Sequence, residues 1–284
     1  MHDVNQLRTR DTRFSKRWAD PRTEALIRVH DGPVTNHHVY DQIGAGYSIG
    51  RQPDPRWQSA ITSALGDAQR IVNIGAGGGS YEPSDRTVVA IEPSAVMVEQ
   101  RPLGSAPVVR AGAESLPIVS GWADVAMALL SVHHWSDWRA GLMEMRRVAK
   151  RRLVLTYDPE FHAEFWLIRD YMPEVATFER SRVPPVDEIA LVPGGNISIV
   201  PLTVPWDCLD GVLPAHWRRP TAYLDARVRA CCSGLAQADP RVVERGVQAL
   251  GQDLRSELWQ QRNQDLLAAE SFDAGFRIVI SSEN

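Results

Sequence analysis

Residues 70–92, RIVNIGAGGGSYEPSDRTVVAIE, constrain this chain more than any other stretch. Two apolar runs, Ile71 to Ile74 and Val88 to Glu92, read as buried strands on either side of a glycine bend. Gly75, Gly77 and Gly79 stand at alternate positions. Glycine reaches positive φ without strain and lets a ligand lie against bare backbone. Glu92 ends the second run, where a carboxylate can accept both hydroxyls of a ribose. Together these features outline the front half of a nucleotide-type cofactor site.

The bend does not match a dinucleotide fingerprint. G-x-G-x-x-G from Gly75 needs glycine at position 80, where Ser80 stands. Only 7 residues separate Gly79 from Thr87. That leaves about one helical turn, whereas βαβ crossovers usually take roughly 10–12 residues or more. A helix N-terminus aimed at a pyrophosphate is therefore not expected, and a cofactor without phosphate suits the loop better. A tight turn with no ligand is the competing reading of this segment alone.

Further signals follow in order: Tyr40-Asp41 upstream, VNIGAGGG at 72–79, VVAIEPSAVM at 88–97, AGAESLP at 111–117 and ADVAMALLSVHHW at 123–135. In order and spacing, residues 40–157 resemble the class I S-adenosylmethionine (SAM)-dependent methyltransferases grouped with the ubiquinone/menaquinone-biosynthesis enzymes. The resemblance implies an α/β, Rossmann-like fold. Its seven-stranded, mostly parallel sheet would be flanked by helices, with a helical insertion between the last two strands. SAM would bind across the carboxyl ends of the strands. It also implies a cofactor-binding set: Tyr40, Gly75, Ala76, Gly77, Gly79, Glu92, Pro93, Met97, Ala113, Glu114, Leu130 and Ser131. One departure stands out. The family commonly carries an acid for the adenine amino group where this chain has Ala113, so that contact falls to backbone or to Glu114, or is not made.

The chain is 284 residues long, enough for one large α/β domain with an appended part. The expected organisation is a loosely ordered basic leader over 1–36, a SAM-binding core over 37–205, a helical cap over 206–272 and a last core strand within 273–284. The leader clusters Arg8, Arg10, Arg13, Lys16, Arg17 and Arg22, and a basic arm for an acidic partner is the alternative reading. Tyr40 to Arg51 reads as a glycine-rich flap over the cofactor or as a surface helix with a packed tyrosine. Pro55 opens a helix with Trp57, Ile61 and Leu65 on one face and Gly66 as its stop. A helix starting near Glu160 is expected to carry Phe161, His162, Phe165, Trp166, Ile168 and Met172, apolar on two faces, as a wall between sheet and pocket or as plain core, and a helical stripe is expected over Val243, Val247, Leu250, Leu254 and Leu258. That stripe serves either a substrate-selecting cap, with Trp206 and Trp217, or a homodimer interface.

His133 and His134 follow the central strand Ala123 to Leu130, at the sheet edge where ligands bind. Either can serve as a general base at neutral pH, or both can shape the pocket. Asp158, ending the fifth strand, either orients a substrate or caps the following helix. No third ligand joins the histidines at metal spacing, so no metal site is expected. A net charge of −4 gives no general attraction to nucleic acid, and no run of 18 apolar residues suggests a membrane span. The three cysteines, Cys208, Cys231 and Cys232, lack zinc spacing and suit a reduced, cytoplasmic protein. The function expected is methyl transfer from SAM to a small-molecule acceptor, aromatic or prenyl-like, at an O, N or C nucleophile. A SAM-fold binding module without catalysis and a dinucleotide-dependent oxidoreductase are the competing classes.

Overall fold

The computed structural model describes Tyr40, Asp41 and residues 50–283. The basic leader, Tyr47 and most of the proposed flap lie outside the described residues. In chain order the elements begin with helix α1 (Pro55–Leu65), strands β1 (Arg70–Ile74) and β2 (Thr87–Ile91), helix α2 (Ala95–Glu99), and strands β3 (Val108–Val109) and β4 (Ala123–Leu129). A one-turn 3₁₀ segment, Val132–His134, precedes α3 (Trp138–Val148) and β5 (Ala149–Tyr157). Four helices follow: α4 (Pro159–Ala163), α5 (Trp166–Tyr171), α6 (Pro173–Arg182) and α7 (Val186–Leu191). Then come β6 (Asn196–Pro201), β7 (Val204–Pro205), the helices of the insertion, β8 (Ser271–Phe272) and β9 (Phe276–Ser282).

Seven strands form one sheet in the order β3-β2-β1-β4-β5-β9-β6. Every pairing from β3 to β5 is parallel, and β9 runs antiparallel to both β5 and β6. The strand order reverses between β1 and β4, so their carboxyl ends flank a crevice suited to a ligand. The central strands are largely apolar because helices cover both faces. Ile71, Val125, Met127, Leu153 and Leu155 pack with Trp57, Ile61 and Leu65 of α1. Their neighbours Val72, Ala126, Ala128 and Val154 join Leu142, Met145 and Val148 of α3. This is the period-2 alternation of a strand, read on two buried faces.

α1 starts and stops as its sequence dictates. Asp54 caps it by accepting from the Arg56 N–H, Pro55 occupies the first turn, and Gly66 ends it at φ 56°. Residues 161–172 do not form one helix. Phe165 adopts extended backbone (φ −62°, ψ 125°) between α4 and α5. Phe165 and Trp166 are both fully or almost fully buried, so apolar residues on two faces left no single stripe to follow.

Between β6 and β9 lie 3₁₀ turns and helices α8 (Ala226–Ala230), α9 (Ser233–Gln237), α10 (Pro240–Arg255), α11 (Leu258–Arg262) and α12 (Gln264–Ala268). Asp239 caps α10, and the buried face of that helix centres on Val242, Gly246, Leu250 and Gly251. Leu258 falls beyond the helix end, after Glu257 at φ 61°. The stripe is thus displaced from the expected one: two glycines, lacking the apolar signal, carry half of the buried face.

Candidate active site

The glycine bend is built by the end of its neighbouring strand. The N–H groups of Gly75 and Ala76 both donate to the Ile91 carbonyl, at 2.9 and 3.0 Å. Gly75, Gly77 and Gly79 sit at φ 67°, 53° and 90°, a region costly for other residues. Packing also demands glycine at position 75, where an added Cβ would lie 2.5 Å from the Ser131 Cβ. Ser131 in turn donates its hydroxyl to the Ile74 carbonyl at 2.9 Å. Residues 75–86 hold turns and no helix, as the short interval required.

Glu92, directly after β2, is 5 % exposed and its carboxylate is aimed by backbone. Oε2 accepts from the Gly77 N–H at 2.7 Å, and Oε1 accepts from the Ser94 N–H at 2.9 Å. Behind the bend, Arg101 donates to Glu82 at 2.7 Å and to the Gly77 carbonyl at 3.2 Å. Asn73, which lines the cavity, donates to Glu82 at 3.0 Å, while its own Oδ1 is buried with no hydrogen-bond partner. Sequence reading missed this brace. A buried Asn inside an apolar strand was the one signal that could have found it.

A cavity of about 320 Å³ opens over the bend. Its wall includes Tyr40, Gly75, Ala76, Gly77, Glu92, Pro93, Met97, Ala113, Glu114, Leu130, Ser131 and His134. Gly79 does not line it; that glycine instead clears Arg101, whose Nη1 would lie 3.2 Å from an added Cβ. Glu114 Oε1 accepts from the Ser136 and Asp137 N–H groups at 2.8 and 3.2 Å. Arg51, at the end of the expected flap, and Tyr81, which sequence did not single out, also line the cavity. Tyr81 donates to Asp210 at 2.8 Å, and Asp210 pairs with Arg51.

The two histidines part company on the 3₁₀ turn. Their rings lie 4.1 Å apart, but His134 lines the large cavity and His133 a second chamber of about 40 Å³. His134 Nε2 is 3.1 Å from the Tyr40 hydroxyl. Burial, then the positive charges of Arg182 and Arg51, pull the His134 imidazole down to about 3. Burial, then His134, Arg182 and Arg51, also hold His133 well below its ordinary value. Both rings are therefore neutral at pH 7, and a group this weakly basic is a poor proton acceptor there.

Asp158 lines neither cavity; its carboxylate accepts from the Glu160 N–H at 2.9 Å and caps α4. Trp217 is fully buried and donates to the Val204 carbonyl, and Trp206 is partly exposed. Neither lines either of these two cavities. The insertion reaches the second chamber instead through Val212, Leu213 and residues 231–234. Among the described residues, no group of three or more His, Cys, Asp or Glu side chains could hold a metal ion. No described helix is long and apolar enough to cross a membrane.

Known proteins carry this architecture. Residues 72–155, from β1 to β5, match a family model described as a methyltransferase domain. No curated protein matches the chain. A crystal structure of a candidate methyltransferase from an antibiotic biosynthesis pathway of Anabaena variabilis is 30 % identical. The match covers 82 % of this chain and 99 % of that one, with a TM-score of 0.76. A Haemonchus contortus phosphoethanolamine N-methyltransferase in complex with SAM shares the fold at 13 % identity, 85 % and 56 % coverage and a TM-score of 0.50. With the sheet order, the bend and the strand-end acid already in place, these matches identify the chain as a member of the class I SAM-dependent methyltransferases.

Proposed function

We propose that the chain transfers a methyl group from SAM to a small-molecule acceptor bound on the Tyr40–Arg51 side of the cofactor cavity. The observation that carries this reading is the adjacency of the two cavities: Tyr40, Arg51 and Leu130 line both. A small chamber beside the cofactor cavity suits a small acceptor rather than a macromolecule.

The residues fit SAM. The cavity, at about 320 Å³, is in the size range of small-molecule sites. Glu92 presents a doubly oriented carboxylate, and the buried Oδ1 of Asn73 awaits a donor. In this reading Glu92 holds the ribose hydroxyls. Gly75, Ala76 and Gly77 give the amino-acid part a backbone surface. Pro93, Met97, Ala113 and Glu114 border the adenine, and Leu130 and Ser131 the sulfur end. SAM supplies an electrophilic methyl carbon on a sulfonium.

The chain's own task is to align the acceptor and exclude water; positioning alone supplies about 7–11 kcal/mol in well-oriented systems. Tyr40 and His134, hydrogen-bonded to each other at the junction of the cavities, position the acceptor rather than deprotonate it. The insertion, through residues 212–213 and 231–234, closes the chamber. The rings of Tyr157, Phe276 and His162 border the chamber end of an acceptor whose aromatic body lies toward the cofactor cavity. A prenyl chain fits poorly, because it would leave the buried Glu179–Arg182 pair facing hydrocarbon. The pathway assignment of the Anabaena relative supports a small-molecule acceptor in the same general way.

The test is turnover. The protein is incubated with SAM and a panel of phenols, acids and amines, and S-adenosylhomocysteine formation is followed. Acceptor-dependent product supports the proposal. SAM binding with no product from any member of the panel supports a non-catalytic module instead.

A further inference from the structure

The second chamber contains donors that the protein itself does not use. Glu179, 2 % exposed, has partners on both oxygens: it accepts from the Tyr157 hydroxyl and, through both oxygens, from Arg182 Nη2 at 2.8 and 3.0 Å. Arg182 is not. Its side chain is 13 % exposed, yet Nε and Nη1 have no hydrogen-bond partner. Those atoms carry three N–H groups. His133, 9 % exposed, leaves Nδ1 unpartnered beside them. Burying charged donors without acceptors is costly, and a fold that tolerates it places them where a ligand supplies the oxygens.

The unused donors and the size of the space narrow the ligand. Arg182 and Arg51 both line the chamber, and each is paired with a carboxylate, Arg182 with Glu179 and Arg51 with Asp210. With those pairs in place, the two Arg182 nitrogens left without acceptors are what an anionic oxygen would satisfy. A water-sized group takes roughly 10–15 Å³ on this measure, so about 40 Å³ admits about three such groups. A carboxylate has three non-hydrogen atoms, and planar rings from Tyr157 and His162 border it. A larger body cannot enter and must extend through the Tyr40–Arg51–Leu130 opening toward the cofactor cavity.

We propose that this chamber binds the carboxylate of an organic-acid acceptor, with Nε and Nη1 of Arg182 as its donors. The inference rests on the methyltransferase reading for its biological sense, but its test does not. Benzoate, phenylacetate and hexanoate are each titrated against the matching primary amide, with and without S-adenosylhomocysteine. Charge-assisted hydrogen bonds from a buried guanidinium predict that at least one acid binds about tenfold or more tightly than its amide.

Arg182→Met removes the donors but strands Glu179. The double variant Arg182→Gln with Glu179→Gln therefore keeps a neutral hydrogen-bonding pair. It should lose the acid preference and keep its S-adenosylhomocysteine affinity. Acids and amides binding alike throughout the panel, or the double variant retaining the preference, overturns the proposal. If S-adenosylhomocysteine fails to bind the wild type, the cofactor reading falls, while the acid preference is still read on the protein alone.

Discussion

Glu92 and the histidine pair show how burial decides what a polar residue can do. The Glu92 carboxylate is fixed by two backbone donors before any ligand arrives, so little ordering remains when a diol binds. The histidines are held neutral, which has a measurable cost. Their folded-state values lie below the ordinary 6.5, so as pH falls the unfolded chain takes up protons first. Their contribution to stability is complete above about pH 6.5 and declines as pH falls toward about 3. Urea unfolding of wild type against a His133→Gln, His134→Gln double variant should show a shallower decline between pH 7 and 5 in the variant. A pH–rate profile should likewise lack an inflection near 6.5 that disappears in His134→Gln. Glu92 and the glycines were legible because a strand-end acid and alternate glycines leave a local signature. Asn73, Tyr81 and Arg182 were not. What matters at each is an unpaired or distant contact, as between Tyr81 and Asp210, 129 positions apart.

Among the elements, the helices bounded by Asp-Pro were legible and the glycine-packed faces were not. Asp54-Pro55, Asp158-Pro159 and Asp239-Pro240 each start a helix with a side-chain cap, a local signal that tertiary context did not override. The face of α10 was misplaced because close approach, not apolar area, selects Gly246. A Cβ there would meet Met172 Cγ at 2.5 Å and the Tyr171 carbonyl oxygen at 2.6 Å. Gly246→Ala should therefore destabilise the protein by about 1–3 kcal/mol, despite alanine's better helix propensity. Thermal or urea unfolding would measure it. The same substitution at Gly251, where the nearest atom to an added Cβ is 3.6 Å away, should be close to neutral.

At the scale of the molecule, Asp210 ties three parts of the chain together. From the insertion it accepts from Tyr81 of the cofactor bend and pairs with Arg51, and the neighbouring Gly211 N–H donates to the Gly50 carbonyl at 2.9 Å. Asp210 is 1 % exposed, so Asp210→Ala leaves Arg51 without its carboxylate and should cost about 3–5 kcal/mol in urea unfolding. It should also weaken S-adenosylhomocysteine binding, since Tyr81 lines the cofactor cavity. The sheet was legible from the order of apolar runs because parallel strands buried on both faces announce themselves. The insertion's path was not, because its contacts include pairs from 51 to 129 positions apart.

The central claim is that the glycine bend and Glu92 hold SAM at the carboxyl ends of β1 and β2. Calorimetric titration of S-adenosylhomocysteine into wild type and Glu92→Ala tests it, with matched circular dichroism spectra to show that both are folded. Loss of two charge-assisted hydrogen bonds predicts an affinity lower by about tenfold or more in the variant. Equal affinity in the two proteins would contradict the account.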